Sequence, residues 1–267
     1  MAAPLKKRDG GKSAGTSSDN VVAAVRRGRR RSRGGTWEFV RSLLGAVLIF
    51  LVVRTFLVEA FRIPSGSMIP TLLVGDWLFV NKLRYGPHIP GTDIRLPGYA
   101  EPQRGEVVVF ESPPQRDQPW DPTPTLVKRL VAVPGDTAYM RGGLLYIDGI
   151  PQRQGFGAER NRVGDPDETS PLFAWQHEYE LSGTRFGPPP AVPTHDHWGP
   201  LLVPAERYLM LGDNRYDSKD GRYWGLVPRD NMRGRPLFVY YSWNAESEQP
   251  LAFITEIRWN RIGHWIR

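Results

Sequence analysis

The sequence predicts a mostly β protein of antiparallel sheets, packed or closed into a barrel-like domain, with one N-terminal transmembrane helix and a Pro-rich insertion. Three observations carry that expectation. Strand-length apolar runs recur after residue 60, each bounded by turn residues. Gly (28) and Pro (25) supply about a fifth of the 267 residues, which suits short strands better than a helical bundle. A single apolar run near the N-terminus reaches membrane length, and no long helical period follows it.

The elements follow in chain order. Residues 1–35 hold ten basic and two acidic side chains, whereas the remainder holds 25 basic and 26 acidic. The net charge of +7 therefore belongs to a basic, Gly- and Ser-rich tail, which reads as disordered. A nucleic-acid-binding body would spread its basic charge over a folded face, and this body is near neutral, so nucleic acid is not expected as a partner. The uncharged stretch 42–53 spans only roughly 18 Å at 1.5 Å per residue. With Arg41 and Arg54 reaching toward the two interfaces, residues 37–58 span roughly 33 Å, enough for a hydrocarbon core of about 30 Å. A transmembrane helix over 36–60 is the reading adopted. A buried core helix would leave the Arg cluster unexplained, and a cleaved secretory signal would carry an unusually long basic region. The positive-inside rule puts the tail in the cytoplasm and the rest of the chain beyond the membrane.

After residue 60, Trp77–Val80, Glu106–Phe110, Thr125–Val133, Arg207–Leu211 and Leu237–Tyr241 read as strands. Leu144–Ile150 reads as a hairpin closed by Asp148-Gly149. Residues 151–205 are Pro-rich, with few strand-like runs, and read as an insertion or second subdomain. The chain has no cysteine, which excludes disulfides, thiolate metal sites and a cysteine nucleophile.

Chemistry could reside in three segments. Pro64-Ser65-Gly66-Ser67-Met68 places two hydroxyls around a glycine that permits a tight turn. Ser-Gly-Ser is also a common loop tripeptide, so the motif alone is weak. A serine nucleophile needs a base, and none of His88, His177, His195, His197 or His264 lies in a strand context. His195-Asp196-His197 resembles a metal pair but lacks a third ligand at metal spacing and reads as loop. Lysine remains. Lys128 sits in an apolar strand where burial could lower its pKa toward neutrality. Strand alternation would then send Arg129 to solvent, although the reverse arrangement stays open. The third segment, Gly212 to Gly225, is a polar loop between strands. It is either a solvated loop or one braced around a hydroxyl such as Ser218.

Taken in order, Pro-Ser-Gly-Ser-Met, Lys-Arg followed by Pro-Gly-Asp, and Gly-Asp-Asn-Arg…Ser…Asp-Gly-Arg-Tyr-Trp-Gly resemble the boxes of bacterial type I signal peptidases. The resemblance runs from Arg54 to about Gly234, with 141–205 as the variable, inserted part between catalytic segments 61–140 and 206–267. It implies a membrane-anchored β serine protease with a Ser–Lys dyad and no cofactor or metal. It also implies the residue roles. Ser67 would be the nucleophile and Lys128 the general base. Ser65 and the Ser67 backbone would form the oxyanion hole, Ser218 would orient the amine, and Asp220 and Arg222 would form a supporting ion pair. Phe61, Ile63, Met68, Val109 and Val127 would line pockets for small residues at −1 and −3. The implied partners are exported preproteins and membrane lipid, for a monomer in the cytoplasmic (inner) membrane. Tyr216-Asp217 and Gly221 depart from the common pattern, which has Asp-Asn and often serine there. Two rivals stand beside this reading: another Ser–Lys hydrolase of the same scaffold, such as a self-cleaving repressor, and a non-catalytic membrane-tethered β domain that binds partners.

Overall fold

The computed structural model describes residues 18–92, 94–153, 155, 165, 167–183 and 185–267, with side chains from Gly35 onward. It comprises two units, Met1–Val52 and Val53–Arg267.

The first unit is the helix α1 (Ser18–Val52). Gly35–Leu57 is long and apolar enough to cross a membrane. Leu44, Leu48, Ile49 and Phe50 are exposed, which does not fit the buried core helix set aside above. An apolar helix with uncovered sides suits lipid. Two boundaries need correction. Residues 18–35, read as disordered, are helical; residues 1–17 lie outside the described residues. Low hydropathy argues against burial and not against helix: Ala and Arg readily propagate a helix that the apolar run has nucleated. The helix also ends before residue 60, passing through a π-turn at Val53–Leu57 into strand β1 at Val58.

Among the described residues the second unit holds eleven strands: β1 (Val58–Arg62), β2 (Asp76–Asn81), β3 (Val107–Glu111), β4 (Thr125–Ala132), β5 (Thr137–Arg141), β6 (Leu144–Ile147), β7 (Ile150–Pro151), β8 (Trp198–Leu202), β9 (Arg207–Leu211), β10 (Val227–Pro228) and β11 (Met232–Ser242). One seven-stranded sheet runs β1-β2-β11-β3-β4-β9-β10 and a four-stranded sheet runs β7-β6-β5-β8, with every pairing antiparallel. The strands read from the sequence are all present. The Asp148-Gly149 turn is also present, both residues holding the positive φ that such a hairpin needs. Sequence patterning did not find β1, β5, β8 or β10, which are short or interrupted by Gly, Pro and charged residues.

The segment 141–205, expected to be an inserted subdomain, supplies β6, β7 and β8 to the four-stranded sheet. Its first boundary falls inside the β5–β6 hairpin. Met140, Leu145, Ile147, Trp198 and Leu201 share one apolar cluster with Val131 of β4 and Leu209 and Leu211 of β9. The short turns around Gly142-Gly143 and Asp148-Gly149 disguise this sheet in a plain hydropathy reading.

β4 positions the site. It lies between β3 and β9 and is buried from Val127 to Ala132. Its register on β3 covers Thr125–Arg129, whereas its register on β9 begins only at Arg129. Among the described residues the β9-facing edge of Thr125–Lys128 is thus free of a strand partner.

Candidate active site

The nucleophile candidate comes first. After β1 the chain turns through Ser65-Gly66-Ser67, and the turn is held by bonds from Ile69 N–H to the Gly66 carbonyl (3.0 Å) and Leu72 N–H to the Met68 carbonyl (2.9 Å). Met68 and Leu72 anchor it in an apolar cluster with Ile63, Leu78, Val80, Val107, Val109, Val127, Val239 and Ile266. Ser67 is left 9% exposed and Ser65 lies in solvent. Among the described residues, neither the Ser65 hydroxyl nor the Ser67 N–H is engaged in a hydrogen bond, so both can serve a developing oxyanion.

Lys128 projects from β4 and its Nζ lies 2.5 Å from Ser67 Oγ. The residue is only 4% exposed. Burial pushes the amine from its ordinary 10.5 down to about 8. Asp220, Asp217 and Asp213 pull the value up and Arg222 pulls it down, so the carboxylates do not restore an ordinary ammonium.

Arg129 does not reach solvent as alternation suggested. It is 3% exposed and makes a bidentate pair with Asp213, Nε and Nη2 both at 2.6 Å. Asp213 also accepts from Thr71 Oγ1 at 2.5 Å, tying the segment after Ser67 to the loop after β9. Both faces of this strand are covered, and in such a strand alternation no longer separates inside from outside. Asn214 makes the second tie: its N–H donates to the Ser67 carbonyl (3.1 Å) and its Nδ2 to the Gly66 carbonyl (3.2 Å). Sequence reasoning missed the roles of Asp213 and Asn214. The available signal was a Lys-Arg pair in an apolar strand, since a buried arginine requires a carboxylate.

The expected ion pair is present and fully buried. Asp220 accepts from Arg222 Nε (2.9 Å), Arg222 Nη2 (2.8 Å) and Gly212 N–H (3.0 Å), and it caps the short helix α2 (Gly221–Trp224). Burial opposes ionisation of Asp220, but the guanidinium and the Gly212 N–H outweigh it and hold the carboxyl below its usual range. Gly221, one of the two departures from the common pattern, is explained by packing. A Cβ there would lie 2.7 Å from the Met210 carbonyl oxygen.

Ser218 departs from expectation. It is buried beside the dyad, yet its Oγ makes no hydrogen bond, and the amine is within reach of Ser67 instead. Gly212 explains how closely the parts approach. A Cβ on it would come within 2.2 Å of Ser218 Oγ and 2.6 Å of the Ser67 carbonyl oxygen.

The five pocket candidates do converge. Ile63, Met68, Val109 and Val127 belong to one cluster with Phe61 packed against it. The first four are nearly covered, so they form a floor under the turn, with Phe61 at its rim. His195 and Asp196, read as loop, are buried against Tyr216 and Arg222. Among the described residues no group of three or more His, Asp or Glu is arranged to hold a metal ion.

Comparison with known proteins places the chain among relatives of one family. The family described as "Signal peptidase, peptidase S26" matches residues 36–243. A signal peptidase I of Pseudomonas fluorescens is 39% identical over 219 residues, covering 77% of this chain and 72% of that protein. One from Pseudomonas aeruginosa is 36% identical over the same shares. A solved signal peptidase I structure from Enterococcus faecalis V583 is 25% identical, covers 51% of this chain and 96% of its own, and gives a TM-score of 0.30.

Proposed function

The chain belongs to the signal peptidase family, peptidase S26, and from that premise we propose that Ser67 and Lys128 are the dyad with which it removes signal peptides from preproteins. One observation carries the assignment: a buried amine lowered to about 8, lying 2.5 Å from a hydroxyl. Neutral Lys128 takes the Ser67 proton as Oγ bonds to the scissile carbonyl carbon. The Ser65 hydroxyl and Ser67 N–H stabilise the oxyanion. Collapse breaks the C–N bond, and the ammonium returns its proton to the leaving amine. The amine then deprotonates a water, which cleaves the acyl ester and restores the Ser67 hydroxyl. Ser218 Oγ, without a partner among the described residues, is available to accept from the amine once Ser67 is acylated. All protons move between these groups, and no cofactor enters.

The free edge of Thr125–Lys128 suits an extended substrate strand, read by main-chain bonds. The nearly closed floor of Ile63, Met68, Val109 and Val127, with Phe61 at its rim, admits only small side chains at −1 and −3. The enzyme is membrane-anchored through the apolar helix. The basic residues before it favour a cytoplasmic N-terminus near anionic headgroups of the inner membrane, and not a nucleic acid. Ser67, Lys128 and their braces all come from one chain, so the proposed site needs no residue from a second copy.

The test is cleavage of a purified preprotein by the full chain in detergent, with the new N-terminus sequenced. Replacing alanine at −1 by leucine should reduce kcat/KM at least about tenfold. Unchanged cleavage of the leucine substrate would defeat the pocket assignment.

A further inference from the structure

His195 lies in the connection before β8, far in sequence from the dyad, and is 2% exposed. Its Nδ1 lies 2.8 Å from Asp196 Oδ1, and Nε2 faces Arg222 Nη1 in a short contact. Nε2 also lies 2.8 Å from the Arg215 carbonyl oxygen. One nitrogen cannot both accept from Arg222 and donate to that carbonyl. A guanidinium only donates, so Nε2 accepts and the ring proton sits on Nδ1, directed at Asp196. The Arg215 carbonyl is served instead by Arg222 Nη2 at 2.5 Å. Tyr216 completes the arrangement. Its ring stacks on His195 at 4.4 Å and its hydroxyl donates to Asp196 Oδ2 at 2.6 Å. Tyr216 belongs to the other departure from the family pattern, and it meets a His-Asp pair from outside its own loop.

We propose that His195 is a positioning residue: by accepting from Arg222 Nη1 it fixes the Arg222–Asp220 pair beside Lys128. Arg222 is 1% exposed, its other donors are committed to Asp220, Arg215 and Ser218, and His195 is the acceptor for Nη1 among the described residues. Without that acceptor a buried N–H loses its partner and the guanidinium shifts to find one. Asp220 would then act on Lys128 with less cancellation. The charged and titratable groups facing the network are Asp196, Tyr216 and Arg222 around the imidazole, and Asp220, Arg222, Asp217 and Asp213 around the amine. The direction follows: a displaced Arg222 raises the pH at which Lys128 loses its proton.

This inference rests on the Ser67–Lys128 reading for its effect on cleavage but not for its effect on the amine. The experiment compares His195→Asn, which keeps a donor toward Asp196 and stops short of Arg222, with His195→Gln, whose Oε1 can occupy the Nε2 position. The Lys128 amine is titrated by NMR in the full chain carrying ε-13C lysine, and preprotein cleavage is followed across pH. His195→Asn should raise the Lys128 titration by about one pH unit and lower kcat near pH 7 about tenfold at unchanged KM. His195→Gln should stay within about twofold of wild type. His195→Leu serves as a second variant without an acceptor, should asparagine fail to fold. An unmoved Lys128 titration in the folded Asn or Leu variant overturns the inference, and so does an equal shift in Gln and Asn. A wild-type chain that fails to cleave defeats the proposed function, while the amine titration still decides the role of His195.

Discussion

Ser67→Ala should reduce preprotein cleavage by about 10⁴-fold or more, and Lys128→Ala should do nearly the same. The expectation comes from the 2.5 Å approach of Nζ to Oγ, because a nucleophile and its base at that distance act as one unit. The double variant should therefore be no worse than either single one, as interdependent catalytic groups are grossly non-additive. Both replacements remove polar atoms from a largely buried site, so circular dichroism should show an unchanged fold. Initial rates on a purified preprotein measure the effect. Independent, multiplicative losses would mean that the two groups serve separate steps. The rivals give different results: a tethered binding domain shows no acylation of Ser67 by a serine-directed inhibitor, and a self-cleaving hydrolase shows no cleavage in trans.

Much of this site could be read from sequence, although by different routes. Strand-sized apolar runs located β2, β3, β4, β9 and the centre of β11, because buried strands rich in β-branched and aromatic residues advertise themselves by composition. Ser67 and Lys128 are 61 residues apart, and only the ordered motifs linked them; no periodicity could have done so. Alternation failed at Arg129 because β4 is covered on both faces, and the chain answers the buried charge with Asp213. The brace from His195 was out of reach for another reason. A histidine between prolines carries no local signal, and its function depends on a guanidinium 27 residues away that the fold brings to it. The strands within 141–205 were only partly legible because Gly-Gly and Asp-Gly turns interrupt short strands whose apolar faces become continuous only when packed with residues of β4 and β9.

Cleavage should lose activity on the acid side with a midpoint near 8, about tenfold per pH unit, so that near pH 6 the rate is about 100-fold below its alkaline plateau. The sign follows from the chemistry, since only the neutral amine can take the Ser67 proton. Burial is what brings the limb down from 10.5, and the same burial has a thermodynamic consequence. The folded state disfavours the ammonium, whereas the unfolded chain accepts it at the ordinary value. The unfolded state thus binds more protons between about 8 and 10.5, and stability rises with pH across that window. Below about 8 the full penalty applies, about 3 kcal/mol for this drop. Lys128→Met, of similar length and without charge, should therefore unfold at higher temperature than wild type near pH 7 and lose that advantage toward pH 10.5. Thermal unfolding at the two pH values tests the stability half, and a pH–rate profile tests the catalytic half. A rate that stays flat through pH 8, with a methionine variant no more stable than wild type at neutrality, would mean that Lys128 is an ordinary solvated cation and that the base lies elsewhere.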